Sequence, residues 1–491
     1  MTVPLPQKLD SLLQSLSDFY PETALAALFL LLVVSDLIFH RRVPNPTGWL
    51  ALLGLGGVVF LSALQLQNIP DKPLFLGLVR NTNLAVLFKC LFGVSGILAI
   101  LFSRLERHPY SRHGEFHSIL IAAILGLHLM VMASHLLMLY LAIELVSISS
   151  YALAYFLDNR KSAGGSLRYL LFGAVSSGVM LYGMSWLYGL TGSLNYSEPA
   201  FWTALSAQPA TVTGAVMVLT LSGLLFKISA VPFHVWVPDV YEAAPVSVAA
   251  FFSVAPKVAG VVALLAVARG AVVWLGLRDL LAVVALASIT VGNFSALWQG
   301  NVRRLLAYSS IAHAGFLLVG VVAGSAFGVQ GLVFYSVAYL FMNAAAFLSV
   351  LFLERITHSG RMADYQGLGA KYPWLGIAFV VVAMALAGLP PTAGFTAKLL
   401  IFSALWETYR QSNDPLLLVL FVWGLLNVAV AMVYYLKIPY LLFFKKSGSA
   451  ITSGSEITLG GQLLLIGVLL PILILFFKSD WLTEFLAVLL R

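Results

Sequence analysis

Cysteine is nearly absent from this 491-residue sequence: there is one, Cys90, inside an apolar stretch. A single thiol excludes an internal disulfide framework, a thiolate metal cluster and a CxxC redox pair. No flavin, haem or iron–sulfur motif is present either, so no cofactor is expected in this chain. Charge is scarce too, at 10% of residues, against about 25% in an ordinary soluble domain. The net charge of +8 would suit nucleic acid, but the basic residues are scattered through short connecting segments and form no stripe. No nucleic-acid partner is expected. What is abundant is apolar surface: 60% of residues are hydrophobic, which places the chain among integral membrane proteins. The first apolar segment begins near Glu22. The residues before it lack a basic n-region and a small-residue cleavage site, which predicts a retained helix.

Apolar runs recur at about 22–39, 48–67, 83–103, 117–133, 135–157, 166–190, 210–231, 246–268, 279–298, 303–323, 327–353, 373–389 continuing through 392–407, 415–441 and 459–477. Each is close to the roughly 20 residues that cross a 30 Å hydrocarbon core. The pattern predicts an all-α integral membrane protein of about fourteen transmembrane helices. The longest polar stretches, near 191–209 and 355–372, are loop-sized, and "KKSGSAITSGSE" reads as a surface loop. Basic residues cluster after the odd-numbered spans: Arg41/Arg42, Arg104/Arg107/Arg112, Arg160/Lys161, Arg303/Arg304, Arg355/Arg361/Lys371 and Lys445/Lys446. The positive-inside rule then puts those loops in the cytoplasm and both termini on the non-cytoplasmic side.

Ionisable residues interrupt this pattern. The run "LLMLYLAIELVSISSYALAYF" carries Glu144 near its middle, and other spans hold Arg168, Lys227, Lys257 and Lys398, with His128, His234 and His313 nearby. A charge at mid-bilayer costs about 2.5–3.5 kcal/mol on insertion scales, so such residues face a protein interior or a water-filled path. One lysine can snorkel to the interface, and one glutamate can be protonated and hydrogen-bonded between helices. Three deep lysines in one chain point instead to a relay, because a desolvated ammonium can gain and lose a proton.

Two spans are also broken. Pro232 removes the backbone hydrogen bond to the carbonyl of Ile228, just after Lys227, and Pro390 and Pro391 free the carbonyls of Leu386 and Ala387, upstream of Lys398. Unpaired backbone at membrane depth is tolerated only inside protein or beside a cavity. Paired breaks in two halves are the pattern of an inverted-repeat transporter whose site lies at the breaks.

The stretches "FKISAVPFHVWVPDVYEAAPVSVAAFFSVAPKVAG" (226–260), "RRLLAYSSIAHAGFLLVG" (303–320) and "LAGLPPTAGFTAKLLIF" (386–402) resemble the antiporter-like subunits of bacterial respiratory complex I, the proton-pumping NADH:quinone oxidoreductase. "PDVYEAAP" and "FFSVAPK" are similar to subunit N, the counterpart of mitochondrial subunit 2, and Lys398 stands where subunit M typically has glutamate. The resemblance runs from about Glu115 to Lys437. It implies N-terminal helices over 1–114, inverted repeats of five helices over 115–268 and 279–441, and a C-terminal helix in 442–491. It also implies a proton pathway through Glu144, Lys227, Lys257, His313 and Lys398, with helix breaks at Pro232, Pro390 and Pro391. Arg168, where the family usually has lysine, stays charged at physiological pH, so it is expected to act as the charge partner of Glu144 without releasing a proton. NADH, FMN, iron–sulfur clusters and quinone would then belong to partner subunits, with subunit M and the small subunits K and J as neighbours in the bacterial inner membrane. A cation/proton antiporter of the Mrp type shares the fold and is the alternative. A scaffold without transport would leave the buried lysines unexplained.

The orientation is directly testable. Single cysteines at Ser359 and Ser447, in a background lacking Cys90, should resist a membrane-impermeant thiol reagent in intact cells and react in inverted vesicles. A cysteine at Ser11 should do the reverse, and labelling of all three from one side would require an odd number of spans.

Overall fold

The computed structural model describes residues 5–39, 46–66, 71–106, 113–270, 275–445 and 457–490. Arg41, Arg42, Arg107, Arg112, Lys446, Ser447 and most of the "KKSGSAITSGSE" stretch lie outside the described residues. The chain divides into two compact units: Met1–Leu101, Pro109–Ile228 and Ala255–Leu277 form the first, and Phe102–His108, Ser229–Val254 and Arg278–Arg491 the second.

The first unit opens with α1 (Leu5–Asp18), then α2 (Tyr20–Phe39) and α3 (Pro46–Gln65). A small antiparallel hairpin, β1 (Pro73–Leu74) and β2 (Val79–Arg80), precedes α4 (Asn83–Leu105). It continues with α5 (His113–Met132), α6 (Leu136–Ala154), α7 (Arg160–Thr191), α8 (Pro199–Ser206) and α9 (Ala210–Ile228). Helix α7 starts in a capping box, the Asn159 side chain accepting from Ser162 N while the Ser162 hydroxyl accepts from Asn159 N. This satisfies two of the donors a helix start leaves open. After α9, residues 229–236 are non-helical, leading to α10 (Val237–Ala243). Helix α11 (Val246–Gly270) runs through Pro256 without a break.

The remaining helices are α12 (Leu275–Leu297), α13 (Val302–Ala323), α14 (Ala326–Thr357), the short α15 (Leu368–Lys371), α16 (Pro373–Ala387), α17 (Ala393–Ser412), α18 (Pro415–Phe444), α19 (Leu459–Phe477) and α20 (Ser479–Leu489). In the second unit α14 packs on α13, α17 and α19, and α16 on α18. Among the described residues, thirteen helices are long and apolar enough to cross a membrane. The fourteenth span is the pair α16 and α17, a shorter apolar helix followed by a second one across the proline break. The fold is therefore an all-α integral membrane fold with the span order read from the sequence.

The sequence reading differs at the connections. The polar stretch 191–209 contains α8, 355–372 contains a 3₁₀ turn and α15, and the seventh span stops at Ile228 instead of continuing to 231. Helices α1 and α20 were not anticipated. Each carries an exposed apolar stripe, Leu9, Leu13 and Leu16 on α1 and Trp481, Phe485 and Val488 on α20, spaced i, i+4, i+7 as on one helix face.

The α16–α17 break depends on two glycines. Gly388 caps α16 with φ +84°, a conformation that costs glycine little. Gly394 lies so close to α16 that a Cβ there would overlap the carbonyl oxygen of Ala385. Gly394→Ala should therefore force the two helices apart and destabilise the protein by about 1–3 kcal/mol, read as a lower midpoint of thermal unfolding in detergent. Gly164→Ala, inside α7 where a Cβ meets nothing within 4 Å, should leave that midpoint unchanged or raise it slightly. Equal midpoints for the two variants would contradict the close approach.

Candidate functional site at the two helix breaks

In the first unit, Lys227 occupies the last turn of α9 and is 1% exposed. Its Nζ donates to the Ser147 hydroxyl at 3.0 Å and lies 5.9 Å from the centroid of the Tyr169 ring. Glu144 precedes Ser147 by three positions on α6, so both lie on one face of that helix. Glu144 is half-buried, and its Oε1 is buried without a hydrogen-bond partner. Arg168 is on the exposed side of α7. Lys257 is buried on α11, directly after Pro256. The structure thus brings Glu144, Ser147, Tyr169 and Lys227 together on α6, α7 and α9.

In the second unit, Lys398 is 5% exposed. Its Nζ donates to Leu386 O at 3.0 Å and to Ala387 O at 2.7 Å. These are the two carbonyls that Pro390 and Pro391 release, so the lysine replaces the hydrogen bonds the prolines remove. Hydrogen bonds to a charged group contribute about 1.5–3 kcal/mol each, enough to hold the ammonium at the break. The Phe316 ring centroid lies 5.0 Å from the same nitrogen, and a cavity of about 450 Å³ beside it is lined by Gly388, Lys398, Ser403 and Trp406 among others.

His313, buried on α13, contacts the Tyr335 hydroxyl through Nδ1 at 2.7 Å and the Tyr435 hydroxyl through Nε2 at 3.1 Å. Tyr435 also bonds Ser309, and Tyr434 donates to Asn293 Oδ1 at 2.9 Å. The result is a chain of hydroxyl and imidazole groups across α13, α14 and α18. The sequence reading found the histidine but not the tyrosines, since an aromatic residue in a membrane helix carries no signal that its hydroxyl is used.

It also missed a charged clamp. At the start of α13, Arg304 Nη1 pairs with Asp239 Oδ1 at 2.8 Å and Glu242 Oε2 at 3.1 Å, both on α10. Arg303 forms a two-pronged pair with Glu354 on α14 and donates to Ala244 O at 2.9 Å. The acidic residues of "PDVYEAAP" and the arginines of "RRLLAYSS" therefore fasten α10 to α13. They do not line the lysine sites.

Residues 133–426 match the family model described as "NADH:quinone oxidoreductase/Mrp antiporter, TM". The chain is 39% identical to NADH-quinone oxidoreductase subunit N of Anaeromyxobacter sp. (strain Fw109-5), over 87% of this chain and 88% of that one. It is 38% identical to the subunit N of Chlorobium chlorochromatii (strain CaD3), over 87% and 84%. Among solved structures, a chain of respiratory complex I from Thermus thermophilus with bound aureothin superposes with a TM-score of 0.79 at 29% identity, covering 94% of this chain and 98% of that one. A chain of the Mrp complex from Dietzia sp. DQ12-45-1b superposes with a TM-score of 0.80 at 18% identity over 96% of each, a likeness of fold alone. With the motifs, the fold and this degree of identity taken together, the chain belongs to the subunit N family of the NADH-quinone oxidoreductases.

Proposed function

We propose that this chain carries protons across the membrane through its buried lysine sites, as the antiporter-like subunit N of a complex that passes electrons from NADH to quinone. The observation that carries this reading is the coincidence, in each half of the sequence, of a helix break with a buried lysine: Lys227 at the end of α9 and Lys398 held by the carbonyls freed between α16 and α17. A lysine at such a break can exchange its proton with water in a local cavity while its carbon chain stays in apolar surroundings.

In this reading Glu144 and Arg168 form the charge pair that sets the field at Lys227, and separating them changes its proton affinity. Lys257 and His313 continue the pathway, and Lys398 serves the exit side. The repeats span 115–268 and 279–441. The order of helices supports this pairing, since α6 with Glu144 and α13 with His313 each stand second in their repeat, and α9 and the α16–α17 pair each stand fourth. NADH, FMN, iron–sulfur clusters and quinone are held by other subunits of the complex. Subunits M, K and J are its neighbours in the bacterial inner membrane, with both termini on the non-cytoplasmic side. The Mrp-type antiporter is the weaker reading, because that likeness is one of fold at 18% identity, against 39% for subunit N.

Lys227→Ala should leave the complex assembled and lower proton-coupled quinone reductase activity several-fold, measured in proteoliposomes with a pH-sensitive dye. A normal proton-to-electron ratio in the assembled variant would remove Lys227 from the pathway. Arg168 is assigned a charge and no proton, so Arg168→Lys should pump nearly as well as the parent while Arg168→Ala should not. Equal pumping by all three forms would refute the charge-pair role.

A further inference from the structure

Another buried charge cluster joins α2, α4 and α5, ahead of the family-matched residues 133–426. Glu22 at the start of α2 places Oε1 2.9 Å from Lys89 Nζ on α4 and 3.0 Å from His128 Nδ1 on α5. All three side chains are fully buried. Lys89 Nζ also donates to Asn81 Oδ1 at 2.9 Å and to Gln65 Oε1 at 3.5 Å.

Two atoms in the cluster are left over. An ionised carboxylate only accepts hydrogen bonds, so the His128 Nδ1 facing Glu22 carries the hydrogen, and Nε2 keeps a free lone pair. That Nε2 and Glu22 Oε2 are both buried without a hydrogen-bond partner. An ion pair between Glu22 and Lys89 could simply lock α2 against α4. It gives no reason for an imidazole whose second nitrogen is desolvated and unused, where an apolar side chain would cost less.

We propose that Glu22, Lys89 and His128 form a separate proton-binding site across α2, α4 and α5, with His128 Nε2 as the accepting atom. One proton from water bonds to Nε2, the imidazole becomes imidazolium, and no other bond is made or broken. Release reverses the step. The cluster passes from net zero to a single positive charge. Glu22 and Lys89 are the charged groups that face His128 among the described residues, and the Lys89 backbone reaches it as well. Access follows the amides. Gln65 contacts Lys89 and donates through Nε2 to Asp18 O at 2.8 Å, and Asp18 pairs with the exposed Lys72 at 2.6 Å. Polar contacts thus run from the buried histidine to the surface at the end of the unit where α1 meets α2.

Infrared difference spectra of the intact complex, with isotope-labelled histidine, read the site directly between about pH 5 and 9, the range in which histidines titrate. His128→Gln keeps a donor toward Glu22 and removes the titrating nitrogen, so it should lose one histidine titration relative to the parent. The paired variant Glu22→Gln/Lys89→Gln leaves no lone buried charge, and should keep that titration with a displaced midpoint. Identical spectra for parent and His128→Gln would make the cluster a structural lock and overturn the proposal. If His128→Gln does not assemble, an undisplaced histidine midpoint in the paired variant overturns it instead. Neither outcome touches the role given to Lys227 or Lys398, because the difference between parent and His128→Gln spectra reports protonation of His128 and of no lysine.

Discussion

A backbone carbonyl that loses its helical partner at membrane depth must find another donor, and between α16 and α17 that donor is a lysine. Prolines 390 and 391 remove two amide donors, and Lys398 replaces both with one ammonium. Each unsatisfied carbonyl would cost about 1–3 kcal/mol in apolar surroundings, and an ammonium without acceptors far more. Break and charge therefore stabilise each other, and either alone would be a defect. The tight placement of Gly388 and Gly394 follows from this, because the chain must turn sharply for the side chain to reach back to α16.

The same economy appears away from the lysines. Arg303 and Arg304, which in the sequence read as cytoplasmic topology signals, are also the fastening of α10 and α14 to α13 through Glu354, Asp239 and Glu242. A two-pronged arginine–carboxylate pair fixes direction as well as distance. That pair joins α13 to α14, whereas the short helix α10 is held by Arg304 Nη1 reaching two of its carboxylates. Buried tyrosine hydroxyls and His313 complete their hydrogen bonds with one another across α13, α14 and α18.

Much of this was legible in the sequence, because the bilayer imposes a length on every span and prolines announce where helices stop. The span order follows from the apolar runs along the chain, and the α16–α17 break and the two carbonyls it frees follow from residues 373–407. Other features carried no local signal. Helix α1 is polar on average, and its exposed leucines emerge as a stripe only when placed on a helix. Lys89 stands in an otherwise apolar run beside Cys90 with no helix break near it, and its partners Glu22 and His128 are distant in sequence. Pairings between segments that far apart are set by packing, which no window of residues contains.

The central claim is that an ammonium at a helix break transports protons instead of merely sealing the backbone. Lys398→Arg in the assembled complex separates the two roles, since a guanidinium can still donate to Leu386 O and Ala387 O but does not release its proton at physiological pH. The proton-to-electron ratio of that variant in sealed proteoliposomes is the measurement. The account predicts an assembled complex with a lowered ratio, and an unchanged ratio would contradict it.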